Sequence, residues 1–396
     1  MSKLPKGWEY PKLEEIFEIL KGNGLSKGKI VDNGKYKCVL YGELYTTYAE
    51  VINKVISSTN EEIGVKSKKG DILLPASTTT KGEDLANAVA LNEENVLLGG
   101  DINIFRMKKN NVDSIFMAHY LTHIKKKDIA NLTQGSTIIH LYGKNIKHLQ
   151  VHLPPLEEQK KIADILSTVD KKIAFVEENI NATEELKKGL MQKLLTEGIG
   201  HTEFKDSELG RLPESWEILK LSEICKINMG QSPKSESYNE NNIGLPLIQG
   251  NADIKNRKTL PRTYTSDITK KCEIGDIIMT VRAPVGAIAK SYHNACIGRG
   301  VCAITPKEDN DFLYHFLVGY EDKWDKLSQG STFTAVNGND IKNIKLSYPP
   351  FEEQKQIAEI LSTVDKKIEN LKEKKLFFQE LKKGLMQKLL TGEVRV

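Results

Sequence analysis

Nowhere among the 396 residues does an uncharged apolar run approach the length needed to cross a bilayer. The segment Met1 to Tyr10 carries Lys, Pro, Gly and Glu where a signal peptide has its apolar core. A cytoplasmic chain without a membrane partner is therefore expected. Cysteine is scarce: Cys38, Cys225, Cys272, Cys296 and Cys302 are odd in number, scattered, and nowhere spaced as CxxC. That pattern offers neither a disulfide framework nor a zinc ribbon and leaves buried free thiols. An excess of one charge is lacking too, because 57 Lys and Arg against 53 Asp and Glu give a formal net charge of only +4. Any grip on a polyanion must come from local patches or from partners that add phosphate contacts.

Catalytic signatures are also missing. There is no GxxxxGK[ST] loop and no GxGxxG turn between a strand and a helix. His119 and His123 are spaced for one helix face, but the Tyr-Leu-Thr between them lacks the glutamate of a metallohydrolase, and no third ligand shows. They read as surface or satisfied core histidines, and no metal is expected. Tyr348-Pro-Pro-Phe351 has the outline of the amino-methyltransferase motif, yet tyrosine is not its usual first residue. The duplicate Leu153-Pro-Pro-Leu156 has no polar group at all, and both precede the same helix, so helix initiation accounts for the prolines.

What the chain does have is duplication. Pro154 to Thr196 and Pro349 to Thr391 are identical at about 30 of 43 positions, at a constant offset of 195 residues. Gln134-Gly-Ser-Thr137 recurs at that offset as Gln329-Gly-Ser-Thr332. Leu4-Pro-Lys-Gly-Trp8-Glu9 pairs with Leu212-Pro-Glu-Ser-Trp216-Glu217, and Gly70-Asp71-Ile72 with Gly275-Asp276-Ile277, at larger offsets. The order is head, helix, head, helix: residues 1–152, 153–200, 201–347 and 348–396. The helices nearly copy one another, while the heads share only signposts.

Each helical unit opens after Pro-Pro with acidic residues in its first turn, where negative charge suits the helix dipole. Apolar residues follow at Ile162, Leu166, Val169, Ile173, Val176 and Ile180, and at Ile357, Leu361, Val364, Ile368 and Leu371. This alternation of four and three is a coiled-coil seam. Beyond it the phase shifts to Leu186, Leu190 and Leu194, and to Leu381, Leu385 and Leu389, which predicts a stutter. Gly189 and Gly384 inside this stretch suggest close approach of another backbone. Helices of about 40 residues are about 60 Å long. Their antiparallel pairing would place one head at each end, with a pseudo-two-fold axis. The expected fold class is α/β, with two globular mixed α/β heads separated by two long helices. Strands are predicted at 37–40, 71–74, 102–107, 276–281 and 301–305, and helices at 114–124 and 311–318.

The heads offer polar loops. In the first these hold Tyr45 and Thr46, Lys66, Lys68 and Lys69, and Thr78, Thr79 and Lys81; in the second, Gln231, Lys234, Gln249, Asn251, Asn256, Arg257 and Arg282. Lys and Arg neutralise phosphates, and Asn, Gln and Arg present the paired donors and acceptors that read base edges. The shared Gln-Gly-Ser-Thr has two readings: Gly for a turn with Gln134, Ser136, Gln329 and Ser331 on phosphate, or framework throughout.

These signposts, in their cyclic order, resemble the specificity subunits of type I restriction-modification systems over essentially the whole chain. The features are the Gln-Gly-Ser-Thr pair, the Pro-Pro-x-Glu-Glu-Gln openings, the Leu-Ser-Thr-Val-Asp-Lys-Lys-Ile helices and the Leu-Pro-x-x-Trp-Glu segments. The resemblance implies a non-catalytic subunit with two target-recognition domains. Each reads one half of a split site in double-stranded DNA, and the helices set the spacing and dock two methyltransferase subunits. Restriction subunits complete the complex. S-adenosylmethionine would then sit on the methyltransferase partner, and ATP and magnesium on the restriction partner, with no cofactor on this chain. The rival reading is a two-headed coiled-coil adaptor for proteins, which predicts no salt-dependent, sequence-selective DNA binding. A weaker rival, an adenine methyltransferase, needs a methyl-donor site.

Overall fold

The computed structural model describes residues 5–329 and 335–396. The chain divides into two compact units, Met1–Val176 with Lys374–Val396, and Glu177–Glu373. Each unit is one head together with half of both long helices. This cuts across the four-segment division expected from the repeat, because an isolated helix has no core of its own and each half buries its apolar stripe against a head.

In the first unit the main sheet runs in the order Phe17–Lys21, Ile102–Met107, Asp71–Pro75, Val89–Leu91, Val51–Ile52. All its pairs are antiparallel except the last. The central strand Asp71–Pro75 is buried throughout, and its side chains alternate between two cores. Ile72 and Leu74 face a cluster with Phe116, Tyr120, Ile162 and Leu166, while Leu73 faces one with Val39, Leu91 and Leu98. A strand with cores on both faces reads as a continuous apolar run, and that run is what marked it in the sequence.

The second unit repeats this framework. Its sheet order is Cys225–Met229, Val301–Pro306, Ile277–Thr280, Ile288–Lys290, Lys258–Thr259, Ile254–Lys255. The first five strands match those of the first head one for one, down to the closing parallel pair. Ile277 and Met279 face a core with Phe312, Ile357 and Leu361, while Ile278 faces a separate one.

The predicted helix 114–124 begins at Ser114, where the Asp113 side chain accepts the Phe116 N–H at 2.9 Å. It continues as a π-turn, Tyr120–Ile124, rather than as regular α-helix. Its counterpart in the second unit is Asn310–Gln329.

The repeat helices span Leu156–Leu194 and Phe351–Leu390. Within each unit they run antiparallel. In the first, Ile162 and Leu166 share a core with Leu385, Leu389 and Leu390; in the second, Leu190 and Leu194 share one with Ile357 and Leu361. Ile162, Leu166, Val169, Val176, Ile357, Leu361 and Ile368 are buried as expected, and Ile173, Val364 and Leu371 are half-buried.

The expected stutter is absent. Leu186 and Leu381 are exposed, and the inward positions after Ile180 are Thr183, Lys187, Leu190 and Leu194. The four-three alternation therefore continues unbroken through two polar residues. The second helix does the same with Lys382 preceding Leu385 and Leu389. Each seam lysine meets an aspartate of the facing helix: Lys187 Nζ lies 2.6 Å from Asp365 and Lys382 Nζ 2.7 Å from Asp170. Gly189 and Gly384 have open space around them, so no backbone of the described residues approaches there.

Above each of these pairs lies a buried histidine of the head, His119 beside Asp170 and His315 beside Asp365, each at 3.9 Å. His315 Nε2 is also 3.0 Å from the Ser362 hydroxyl. Burial, with Lys187 and Lys290 nearby and against the pull of Asp365 and Asp311, lowers the His315 pKa from 6.5 to about 4. In that interval the unfolded chain binds a proton that the folded chain does not. The stabilisation is thus complete above the ordinary histidine pKa and is lost as the pH falls towards 4. Denaturation of the wild type between these limits is expected to lose up to about 3 kcal/mol to this residue. A His315→Gln variant should show a shallower acid limb, and identical limbs would exclude His315 as the proton acceptor.

Candidate nucleic-acid interface

In the second head four turns converge on a cleft of about 490 Å³ lined by Ser232, Tyr238, Gln249, Arg282, Arg299 and their neighbours. Gln249 follows the strand Leu245–Ile248, Arg299 sits in the turn between Ala295–Ile297 and Val301–Pro306, and Arg282 follows Ile277–Thr280. The turns are held by their backbones. Gln249 N–H donates to Asp253 at 2.8 Å, and Arg299 N–H to the Ser232 hydroxyl at 3.2 Å. A Cβ on Gly300 would lie 2.0 Å from the Gln249 carbonyl oxygen, so only glycine permits this approach. The Gln249, Arg282 and Arg299 side chains are left exposed. Among the described residues neither guanidinium has an ion-pair partner. Two free guanidinium forks beside a primary amide are suited to carboxylate-like or base-edge acceptors.

Of the residues singled out in this head, Gln249 and Arg282 line the cleft, and Gln231, Lys234 and Asn251 are exposed on the chain segments that border it. Asn256 and Arg257 are not part of it. They are the two central residues, φ 50° and 63°, of the hairpin between Ile254–Lys255 and Lys258–Thr259. The Arg257 guanidinium is held by both carboxylate oxygens of Glu321, and Lys258 pairs with Glu369 at 2.7 Å. Arg257 thus fastens the hairpin to the head's own helix Asn310–Gln329 and Lys258 fastens it to Phe351–Leu390, which removes Arg257 from the free cations. Arg299 was missed from sequence. Its signal is the triplet Gly298-Arg299-Gly300 between two apolar strands, an arginine presented where the backbone can have no bulk.

The first head builds a surface at the matching place, beyond the end of its central strand. Ser77–Thr78 pairs with Ile139–His140, which sets Thr79 and Lys81 beside the Gln134–Thr137 turn. Gln134 and His140 exchange both backbone hydrogen bonds, at 2.9 and 2.7 Å. Gly135 has φ +116°, and a Cβ there would lie 2.1 Å from the Ile138 carbonyl oxygen. The glycine is therefore needed for the turn, and Gln134 and Ser136 stand exposed on it. Thr78 is buried and bonded to the Thr80 hydroxyl, and Tyr45 is half-buried, so these two shape the loop from beneath, whereas Thr46 is exposed. Lys66, Lys68 and Lys69 are exposed at the opposite end of Asp71–Pro75, about 17 Å away along a five-residue strand. They do not join the surface formed by Thr79, Lys81, Gln134 and Ser136. The side chain of Gln329, and Ser331, lie outside the described residues.

The remaining signposts are framework. Gln159 is buried; its amide donates to the Pro154 carbonyl at 2.8 Å and its oxygen accepts the Asp113 N–H at 2.9 Å. Gln354 donates to Pro349 at 2.9 Å and to Glu308 at 2.8 Å. Glu353 accepts the Trp216 indole N–H at 2.9 Å, and Glu158 holds the Arg395 guanidinium. Tyr348 donates its hydroxyl to Glu308 at 2.7 Å, and the Pro350 carbonyl accepts the first helical N–H groups. The Pro-Pro pair thus starts a helix.

Residues 5–185 and 213–376 match the Type I restriction modification DNA specificity domain. The chain belongs to that family. It is 34% identical to the protein of Methanocaldococcus jannaschii named as the MjaX type I restriction enzyme specificity subunit, over all of this chain and 96% of that one. The S subunit of a type I restriction-modification system from M. genitalium has the same fold, with a TM-score of 0.66 at 18% identity over 98% of this chain and 97% of that one. The HsdS subunit of Thermoanaerobacter tengcongensis aligns with a TM-score of 0.52 at 23% identity, over 99% and 98%. Two mixed α/β heads with a long helix between them are thus the fold of the family, and DNA specificity within a type I system is its role. No helix among the described residues is long and apolar enough to cross a membrane.

Proposed function

We propose that this chain is the non-catalytic, sequence-reading subunit of a type I restriction-modification enzyme, with each head reading one half of a bipartite site in double-stranded DNA. The observation that carries this reading is a shared framework with unlike polar surfaces at the same place. Lys81, Gln134 and Ser136 mark it in one head, and Gln249, Arg282 and Arg299 in the other. Matched frameworks dock the two heads on the repeat helices in the same manner, while unmatched surfaces read unlike half-sites. Near-identical helices present equivalent sides, so two methyltransferase subunits bind by one geometry. The helices set the separation of the half-sites, and restriction subunits join the assembled core. S-adenosylmethionine is bound by the methyltransferase subunits, ATP and magnesium by the restriction subunits.

The test is co-expression with the neighbouring methyltransferase, followed by mapping of methylated adenines. A split motif is expected, and exchanging residues 201–347 for the corresponding head of a relative should change one half only. Methylation that does not depend on this chain would leave the protein-adaptor reading in its place.

A further inference from the structure

In both heads the residue before the parallel strand meets the head's own helix at the same topological point, but with different chemistry. Glu50 and Arg257 each immediately precede the strand that closes the sheet in parallel. Their carbonyls accept equivalent hydrogen bonds, from Ala90 N–H and Lys290 N–H, both at 2.9 Å. In the second head the brace is complete, because Arg257 lies on Glu321. In the first, Glu50 turns one oxygen towards two histidines: Oε1 is 2.6 Å from His123 Nε2 and 3.9 Å from His119 Nδ1.

His119 is fully buried, and among the described residues neither of its ring nitrogens has a hydrogen-bond partner. An imidazole with both nitrogens desolvated and unpaired is a costly arrangement that calls for a ligand. The second head has no such deficit at Nε2, since His315 finds Ser362. Among the described residues, one ligand atom from each of Glu50, His119 and His123 can be chosen so that all lie within 4.8 Å of one another. The surroundings are those of a metal-ligating shell. His119 Nε2, the nitrogen turned away from Glu50 Oε1, faces Asp170 Oδ2 at 3.9 Å, the place of the carboxylate that orients a metal-bound histidine. The other oxygen of Glu50, Oε2, is held by Lys382 at 3.1 Å, which leaves Oε1 to the histidines. The π-turn Tyr120–Ile124 brings the two rings into a stack with centroids 6.0 Å apart.

We propose that Glu50, His119 and His123 bind one divalent cation of the zinc type, which ties the segment before Val51–Ile52 to the first head's own helix where the second head uses the Arg257–Glu321 ion pair. Two imidazoles and a carboxylate are a donor set that zinc accepts, with a fourth position open to water. Asp170 and Glu50 carry the negative charge that offsets the nearby Lys382 ammonium.

The test uses the full-length chain, stripped with chelator and titrated with zinc by calorimetry, with cobalt absorption as a second readout. One equivalent per chain is expected, together with a rise in melting temperature. His123→Ala, at a half-exposed position, should lower the affinity by more than the roughly 10- to 100-fold that loss of an outer partner costs. His148→Ala, at an exposed pair with Glu14, should leave it unchanged. Circular dichroism checks that each variant is folded. A wild-type chain that takes up no stoichiometric zinc, or a folded His123→Ala that binds it as tightly, overturns the site.

Discussion

Trp216→Ala is expected to lower the stability of the second unit by about 3–5 kcal/mol, the cost of emptying a buried aromatic site. The indole is wholly buried, lies edge-on to His201 with ring centroids 6.3 Å apart, and donates to Glu353 at 2.9 Å. Its removal leaves both a void and a carboxylate that has lost a charge-assisted donor, keeping His201 at 2.8 Å. Urea denaturation measures the effect. Trp216→Phe, which keeps much of the volume and loses the N–H, should cost only about 1.5–3 kcal/mol. If the two substitutions cost the same small amount, the indole is not what fastens the second head to its helix.

The same contact explains which sequence signals were legible. Trp216 lies far in the chain from Glu353 and Gln354, yet all three belong to repeated signposts, so duplication marked them as framework. The sheets were legible for a different reason. Strands such as Asp71–Pro75 and Ile277–Thr280 face cores on both sides and stand out as short apolar runs between turns. The seam was legible only as far as it is apolar. At Thr183, Lys187 and Lys382 the inward positions are polar, and the eye moves to the exposed Leu186 and Leu381, which produces a stutter that does not exist. A seam lysine becomes intelligible only when Asp170 or Asp365 is seen on the facing helix, and periodicity within one helix holds no such information. The pairing of Glu50 with His119 and His123 was hidden likewise, because the third group comes from the strand-closing segment of the sheet rather than from the histidines' own helix. Arg257 shows the converse. It looked like a reading residue because it is basic and sits in a turn, but a cation in a turn is free only if no carboxylate lies opposite, and Glu321 does.

That distinction separates Arg282 and Arg299 from Arg257 and Arg262, each of which is ion-paired. Replacing either with alanine is expected to weaken recognition of one half-site by about 1–3 kcal/mol, roughly 5- to 150-fold, if its fork contacts a base edge. The relaxed position should fall within that half alone, and the half read by the first head should keep its selectivity. A contact to phosphate predicts something else: weaker binding across all sequences and a salt-dependence slope reduced by about one. Binding of the assembled complex to cognate and half-mutated duplexes at several salt concentrations distinguishes the two roles. Arg257→Ala is the necessary comparison, since its guanidinium lies on Glu321. It should reduce stability while leaving both half-site preferences in place. Loss of recognition on Arg257→Ala, with Arg282→Ala and Arg299→Ala silent, would move the reading surface from the cleft to the hairpin.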